Sequence, residues 1–142
     1  MALRAKDLMR KKVAVGTGTT VKEAAHKMIS TGLPGLPVVN DKMEVVGVIT
    51  EFNVLGAIRE GMDLEKIPAA RIMTAEPVTA DFNASCYELI QTMLLNNYTV
   101  IPIVNNGKCA GVVSRLSVMD ANLSPRYSSI TSRQQNEALV YG

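Results

Sequence analysis

A chain of 142 residues, 47% hydrophobic and 20% charged, has the make-up of one soluble globular body rather than a disordered or fibrous segment. Its net charge of +2 is too small to drive nucleic-acid binding, and no apolar run is long enough to form a signal peptide or span a bilayer. A cytoplasmic protein without membrane or nucleic-acid partners is therefore expected.

The basic residues Arg4, Lys6, Arg10, Lys11 and Lys12 cluster at the start, but Asp7 interrupts them and no aromatic platform accompanies them, so they read as a solvated face. Two cysteines, Cys86 and Cys109, stand outside any CxxC arrangement and suggest neither a zinc site nor a disulfide framework. The sole histidine, His26, falls off the apolar stripe of its helix and reads as a surface residue. The GTG at Gly16 to Gly18 lacks the spacing and the following lysine of a phosphate-binding loop. No cofactor, metal site or catalytic constellation is expected, and so no enzyme.

In chain order, a short strand over residues 13–15 comes first. A helix follows, with Val21, Ala24, Ala25, Met28 and Ile29 on one face and a capping box formed by Thr20 and Glu23. Two β-rich runs, 36–40 and 45–50, flank the polar turn 41–44 and read as an antiparallel hairpin. A second helix over 52–60 stops near Gly61. Residues 61–71 read as a linker.

The pattern then returns. A strand over 78–79 precedes a helix with Cys86, Leu89, Ile90, Met93 and Leu94 on one face, again opened by a capping box, Ser85 with Glu88. Runs 101–105 and 109–114 flank the turn 106–108, and a helix over 116–123 closes the copy. Met9 falls over Met73, Met28 over Met93, Pro37 over Pro102 and Gly47 over Gly111, an offset of about 64 or 65 residues throughout. Self-similarity at one long period marks a duplicated structural unit. The fold class is α+β, built from two pseudo-symmetric β-α-β-β-α repeats over 4–61 and 62–123, neither with enough core to stand alone. Residues 124–142, rich in Ser, Gln, Asn and Arg, read as a mobile or partner-docked polar tail.

Pro37 and Pro102 each remove a ladder donor and should lie at a strand edge or opening. Thr50 and Ser114 stand where a strand passes into a helix, the place an N-cap prefers.

With KDLM and ARIM opening the copies, LPVVN and IPIVN in their middle strands, and GVITEFNVL and GVVSRLSVM closing them, the chain resembles a tandem pair of CBS domains. The resemblance covers residues 4–123. It implies repeats packed sheet to sheet around two clefts that take adenosine-containing ligands such as AMP, ADP, ATP or S-adenosylmethionine, and homodimers joined through helices. It also implies a regulatory module that signals to an unidentified protein partner in trans. The alternative is a ligand-independent dimerisation or scaffold module that has lost nucleotide binding.

Carried over by the resemblance, one cleft joins Thr17, Gly35, Leu36 and Pro37 to Ser114, Arg115 and Ser117. The other joins Asp81, Val100, Ile101 and Pro102 to Thr50 and Asn53. The family's ribose-binding Asp is replaced by Asn53 and Ser117. Exchanging a charge-assisted acceptor for a neutral one weakens such a contact by roughly tenfold. Arg115 favours an anion in the first cleft and Asp81 opposes one in the second, so unequal sites are expected.

Overall fold

Both long helices start where the sequence places their caps. In the computed structural model, which describes residues 2–123, helix α2 (Val21–Thr31) begins with Thr20 Oγ1 accepting the Glu23 N–H and the Glu23 carboxylate accepting the Thr20 N–H, each at 3.1 Å. Those bonds from Thr20 hold the Glu23 carboxyl below the usual carboxylate range, so the cap is intact at neutral pH and is lost as acid protonates it. Helix α5 (Cys86–Asn96) repeats the device with Ser85 and Glu88 at 3.1 and 2.8 Å. The helices end alike, in left-handed Gly32 and Asn97, where the chain turns toward the next strand. The tail expected from Ser124 onward lies outside the described residues.

Two four-stranded sheets result. One runs β2 (Val15–Gly16), β3 (Gly35–Val39), β4 (Val45–Thr50) and β5 (Thr74–Ala75); the other runs β1 (Arg10–Lys11), β8 (Lys108–Ser114), β7 (Val100–Asn105) and β6 (Ala80–Asp81). The hairpins β3–β4 and β7–β8 are antiparallel as expected, and their β3 and β7 faces pack on each other. Helices α3 (Glu51–Arg59) and α6 (Arg115–Leu123) follow β4 and β8 directly. The short strands expected at 13–15 and 78–79 form instead at β2 and β6, because parallel pairing begins only where the chain meets Val38 and Val39, or Ile103 and Val104.

The four-residue helices α1 (Ala5–Leu8) and α4 (Ala69–Ile72) are too short to show periodicity in a sequence, yet they set the architecture. Each opens one copy and packs into the core of the other. Ala5 and Leu8 are buried with Leu89, Ile101 and Val113, while Ala69 is buried with Val21, Leu36 and Ile49. The main chain follows the same exchange: Ala5 N–H donates to Ala84 O and Lys6 N–H to Phe82 O, and in the twin position Ala69 N–H donates to Thr19 O and Ala70 N–H to Thr17 O. The linker joins in, since Val21 and Lys22 donate to Ile67 O and Leu64 O. Strands β1 and β5 are accordingly traded, β1 pairing with β8 and β5 with β4.

Gly47 and Gly111 make that trade possible. A Cβ on Gly47 would collide with the Met73 side chain, and one on Gly111 would collide with the Arg10 carbonyl. The two prolines lie in inner strands, but β2 reaches only Val38 and Val39 and β6 only Ile103 and Val104. Pro37 and Pro102 are therefore local edges, where a missing N–H leaves no ladder bond unmade.

Gly111→Ala is expected to lower unfolding stability by about 1–3 kcal/mol, because the intruding methyl prises β1 from β8. Gly56→Ala, inside α3 with nothing within 4 Å of the added carbon, raises it by up to about 1 kcal/mol. Urea denaturation of both variants checks the pair.

Candidate functional site

Equivalent residues meet where β3 and β7 begin. Gly35 pairs with Thr50 across one hairpin and Val100 with Ser114 across the other, and a Cβ on Gly35 would lie 3.0 Å from a Val100 methyl and 3.2 Å from that of Thr50. Four of the residues expected at the clefts thus converge on one seam between the repeats. Beside it opens a cavity of about 400 Å³, lined by Pro34, Val48, Thr50, Glu51 and Phe52 of the first repeat and by Thr74, Glu76, Pro77, Val78 and the run Asn97 to Val100 of the second. Such a volume is in the range of small-molecule sites.

The polar floor is made by the start of α3. Thr50 Oγ1 accepts the Asn53 N–H at 3.3 Å and donates to Asn53 Oδ1 at 3.0 Å, while the Thr50 N–H reaches the same oxygen at 2.9 Å. Asn53 therefore completes a capping box at the position where the resemblance puts an acid. The twin pair behaves likewise: Ser117 N–H donates to Ser114 Oγ at 3.2 Å, and Ser117 Oγ accepts the Ser114 N–H at 3.2 Å and lies 2.9 Å from the Ser114 carbonyl. Ser114 is buried and Thr50 half-buried, so the Thr50 end is the more open of the two.

Other expected residues sit apart from this cavity. Leu36 and Ile101 are 0% exposed, main chain included, and Pro37 and Pro102 are sealed with them, so Val100 is the residue of β3 and β7 that lines the cavity. Thr17 is held against α4, its N–H on Val39 O and its carbonyl accepting from Ala70. Asp81 accepts the Asn83 N–H at 2.8 Å and faces a separate groove with Glu88 and Thr92. Arg115 turns its guanidinium to the end of α5, with Nε 2.6 Å from Tyr98 O and Nη2 2.8 Å from Asn97 Oδ1. Its side chain lines the groove between α5 and α6 rather than the cavity at Thr50.

Sequence reasoning passed over Glu76, Pro77 and Val78, the turn after β5. The available signal was the copy offset, which lays Glu76 over Lys12; both adopt left-handed backbone, φ 51° and 56°, that nothing in a non-glycine residue announces. Cys109 lies outside the cavity, and burial pushes its thiol up, the reverse of an activated nucleophile.

Two consequences for stability follow from the shared cap. Thr50→Ala is expected to cost about 1 kcal/mol by freeing helix donors. Asn53→Asp keeps the acceptor and adds charge at the positive end of α3, raising stability by about 0.3–1 kcal/mol. Thermal denaturation at low salt distinguishes them.

Comparison with known proteins agrees with the two-repeat fold. The family model described as CBS domain matches residues 5–60 and again 69–124. An uncharacterized protein of Methanopyrus kandleri is 29% identical over 116 residues, covering 80% of this chain, and the chain spans 59% of that relative's length. Among solved structures, CBSX2 in complex with AMP superposes with a TM-score of 0.73 at 23% identity, over 84% of this chain and 96% of that one. The CBS domain pair of protein MJ0100, in complex with 5′-methylthioadenosine and S-adenosyl-L-methionine, gives 0.75 at 22% identity, over 86% and 97%.

Proposed function

Because the chain belongs to the CBS-domain family, we propose that it is a regulatory rather than catalytic pair whose cleft beside Thr50 takes an adenosine-containing ligand and passes its occupancy to a protein partner in trans. The observation that carries this reading is the cavity itself. It lies on a seam to which both repeats contribute, so a molecule there touches α3 of the first and the start of β7 of the second at once. AMP in CBSX2, and methylthioadenosine with S-adenosylmethionine in the MJ0100 pair, support the ligand class. Occupancy biases the relative packing of the repeats to the extent that affinity differs between packings, and so alters the surface offered to a partner.

A homodimer through the helices belongs to the same proposal. Ile29 and Leu55 on α2 and α3 are 78% and 63% exposed, and their counterparts Leu94 and Met119 on α5 and α6 are 74% and 54% exposed. They line two apolar grooves in equivalent places. That repeated apolar face also favours the second reading, a scaffold that dimerises without ligand.

Thermal denaturation against AMP, ADP, ATP, methylthioadenosine and S-adenosylmethionine separates the two. A binder at about a hundred times its dissociation constant adds about 2.7 kcal/mol of stability, and no shift with any compound leaves the scaffold. Asn53→Asp is expected to tighten an adenosine ligand by roughly tenfold through a charge-assisted ribose contact. Unchanged or weaker affinity by calorimetry removes that position from the site.

A further inference from the structure

The two copies carry opposite charge at two matching places in the sequence. Glu51 opens α3 where Arg115 opens α6, Glu76 occupies the left-handed turn where Lys12 stands in the other copy, and Thr74 of β5 takes the place of Arg10 of β1. The apolar framework is kept, with Val48 over Val112. Glu51 and Glu76 are the only charged residues lining the cavity beside Thr50, and neither carboxylate has a hydrogen-bond or ion-pair partner among the described residues. They come from different elements, one at the start of α3 and one after β5, so they bracket the cavity rather than form a single acidic patch.

The helix end that usually receives a phosphate is closed to one here. A helix N-terminus binds anions through amides without partners. At α3 the Thr50 N–H goes to Asn53 Oδ1, the Glu51 N–H to Pro34 O and the Asn53 N–H to Thr50 Oγ1. Two residues with unpaired carboxylates therefore line the cavity while three of the nearest amide donors are already engaged.

From this, and resting on the proposed adenosine site, we infer that the cleft beside Thr50 selects adenosine derivatives without phosphate and favours those carrying positive charge. Phe52, 84% exposed at the rim, offers an aromatic face that a purine or an alkyl cation can cover. Phosphate oxygens there meet like charge, whereas a sulfonium or ammonium meets opposite charge in a partly water-excluded space.

Calorimetry on the full chain with 5′-methylthioadenosine, S-adenosylmethionine, AMP and ATP tests it, with the double variant Glu51→Arg/Glu76→Lys copying the residues at the matching positions of the other copy. The wild type is expected to bind S-adenosylmethionine and methylthioadenosine at least about tenfold more tightly than AMP, a preference the double variant reverses. Added salt narrows the preference. Lys12→Glu, at the matching turn of the other copy, leaves the ratio unchanged. Circular dichroism and melting temperature verify that the variants fold; if the double variant does not, the single Glu76→Gln is expected to narrow the ratio in the same direction. No binding by any of the four compounds sinks the proposed function together with this inference. Binding of AMP or ATP in preference to the uncharged and cationic compounds, or a ratio moved by Lys12→Glu and not by the Glu51 and Glu76 changes, overturns the inference and leaves the adenosine site standing.

Discussion

A duplicated unit folded against itself meets a problem at its own symmetry axis: residues that correspond must occupy neighbouring space. Here the pair is Gly35 and Val100, and the solution is unequal size. One keeps a side chain because the other has none, with a valine methyl 3.0 Å from where a glycine Cβ would stand. Two valines there would force the strands apart. Because Gly35 is registered with Thr50 and Val100 with Ser114, this single approach also draws the first turns of α3 and α6 toward the seam. The cleft, its hydroxyl floor and its apolar wall all descend from it.

Asymmetry at the axis spreads outward into chemistry. The same backbone frame that supports carboxylates on one side supports Arg115 and Lys12 on the other, and Arg10 uses its guanidinium to reach Thr31 O at 3.1 Å, stapling β1 to the end of α2. Duplication supplied equivalent positions, and side-chain divergence gave some of them opposite charge.

Much of the fold was legible because it rests on local chemistry repeated twice. Thr20 with Glu23 and Ser85 with Glu88 mark helix starts from three residues apiece, and the hairpins announce themselves by β-branched runs around polar turns. What was not legible depends on distance along the chain. No local pattern says that Ala5 is buried beside Leu89 or Ala69 beside Val21, since α1 and α4 are one turn long and their partners lie elsewhere in sequence. The site divides in the same way. Thr50 and Val100, expected from the closing and middle motifs, line the cavity, whereas Glu76 and Pro77 reach it only because β5 crosses to the other sheet. Asp81, two residues from where its strand was expected, turns to a different groove.

The crossing of α1 and α4 has a bearing on how the chain acquires its shape. Residues 5–8 are made well before residues 80–121, which build their resting place, so helix α1 waits for a distant part of the chain. The first sheet, in turn, stays short of its outer strand until residues 74 and 75 arrive. Neither lobe can finish alone, and long-range closure of this sort slows folding while it ties both lobes into one cooperative event. Loosening either crossing segment would then be felt in both lobes, a mechanical linkage already present before any small molecule binds.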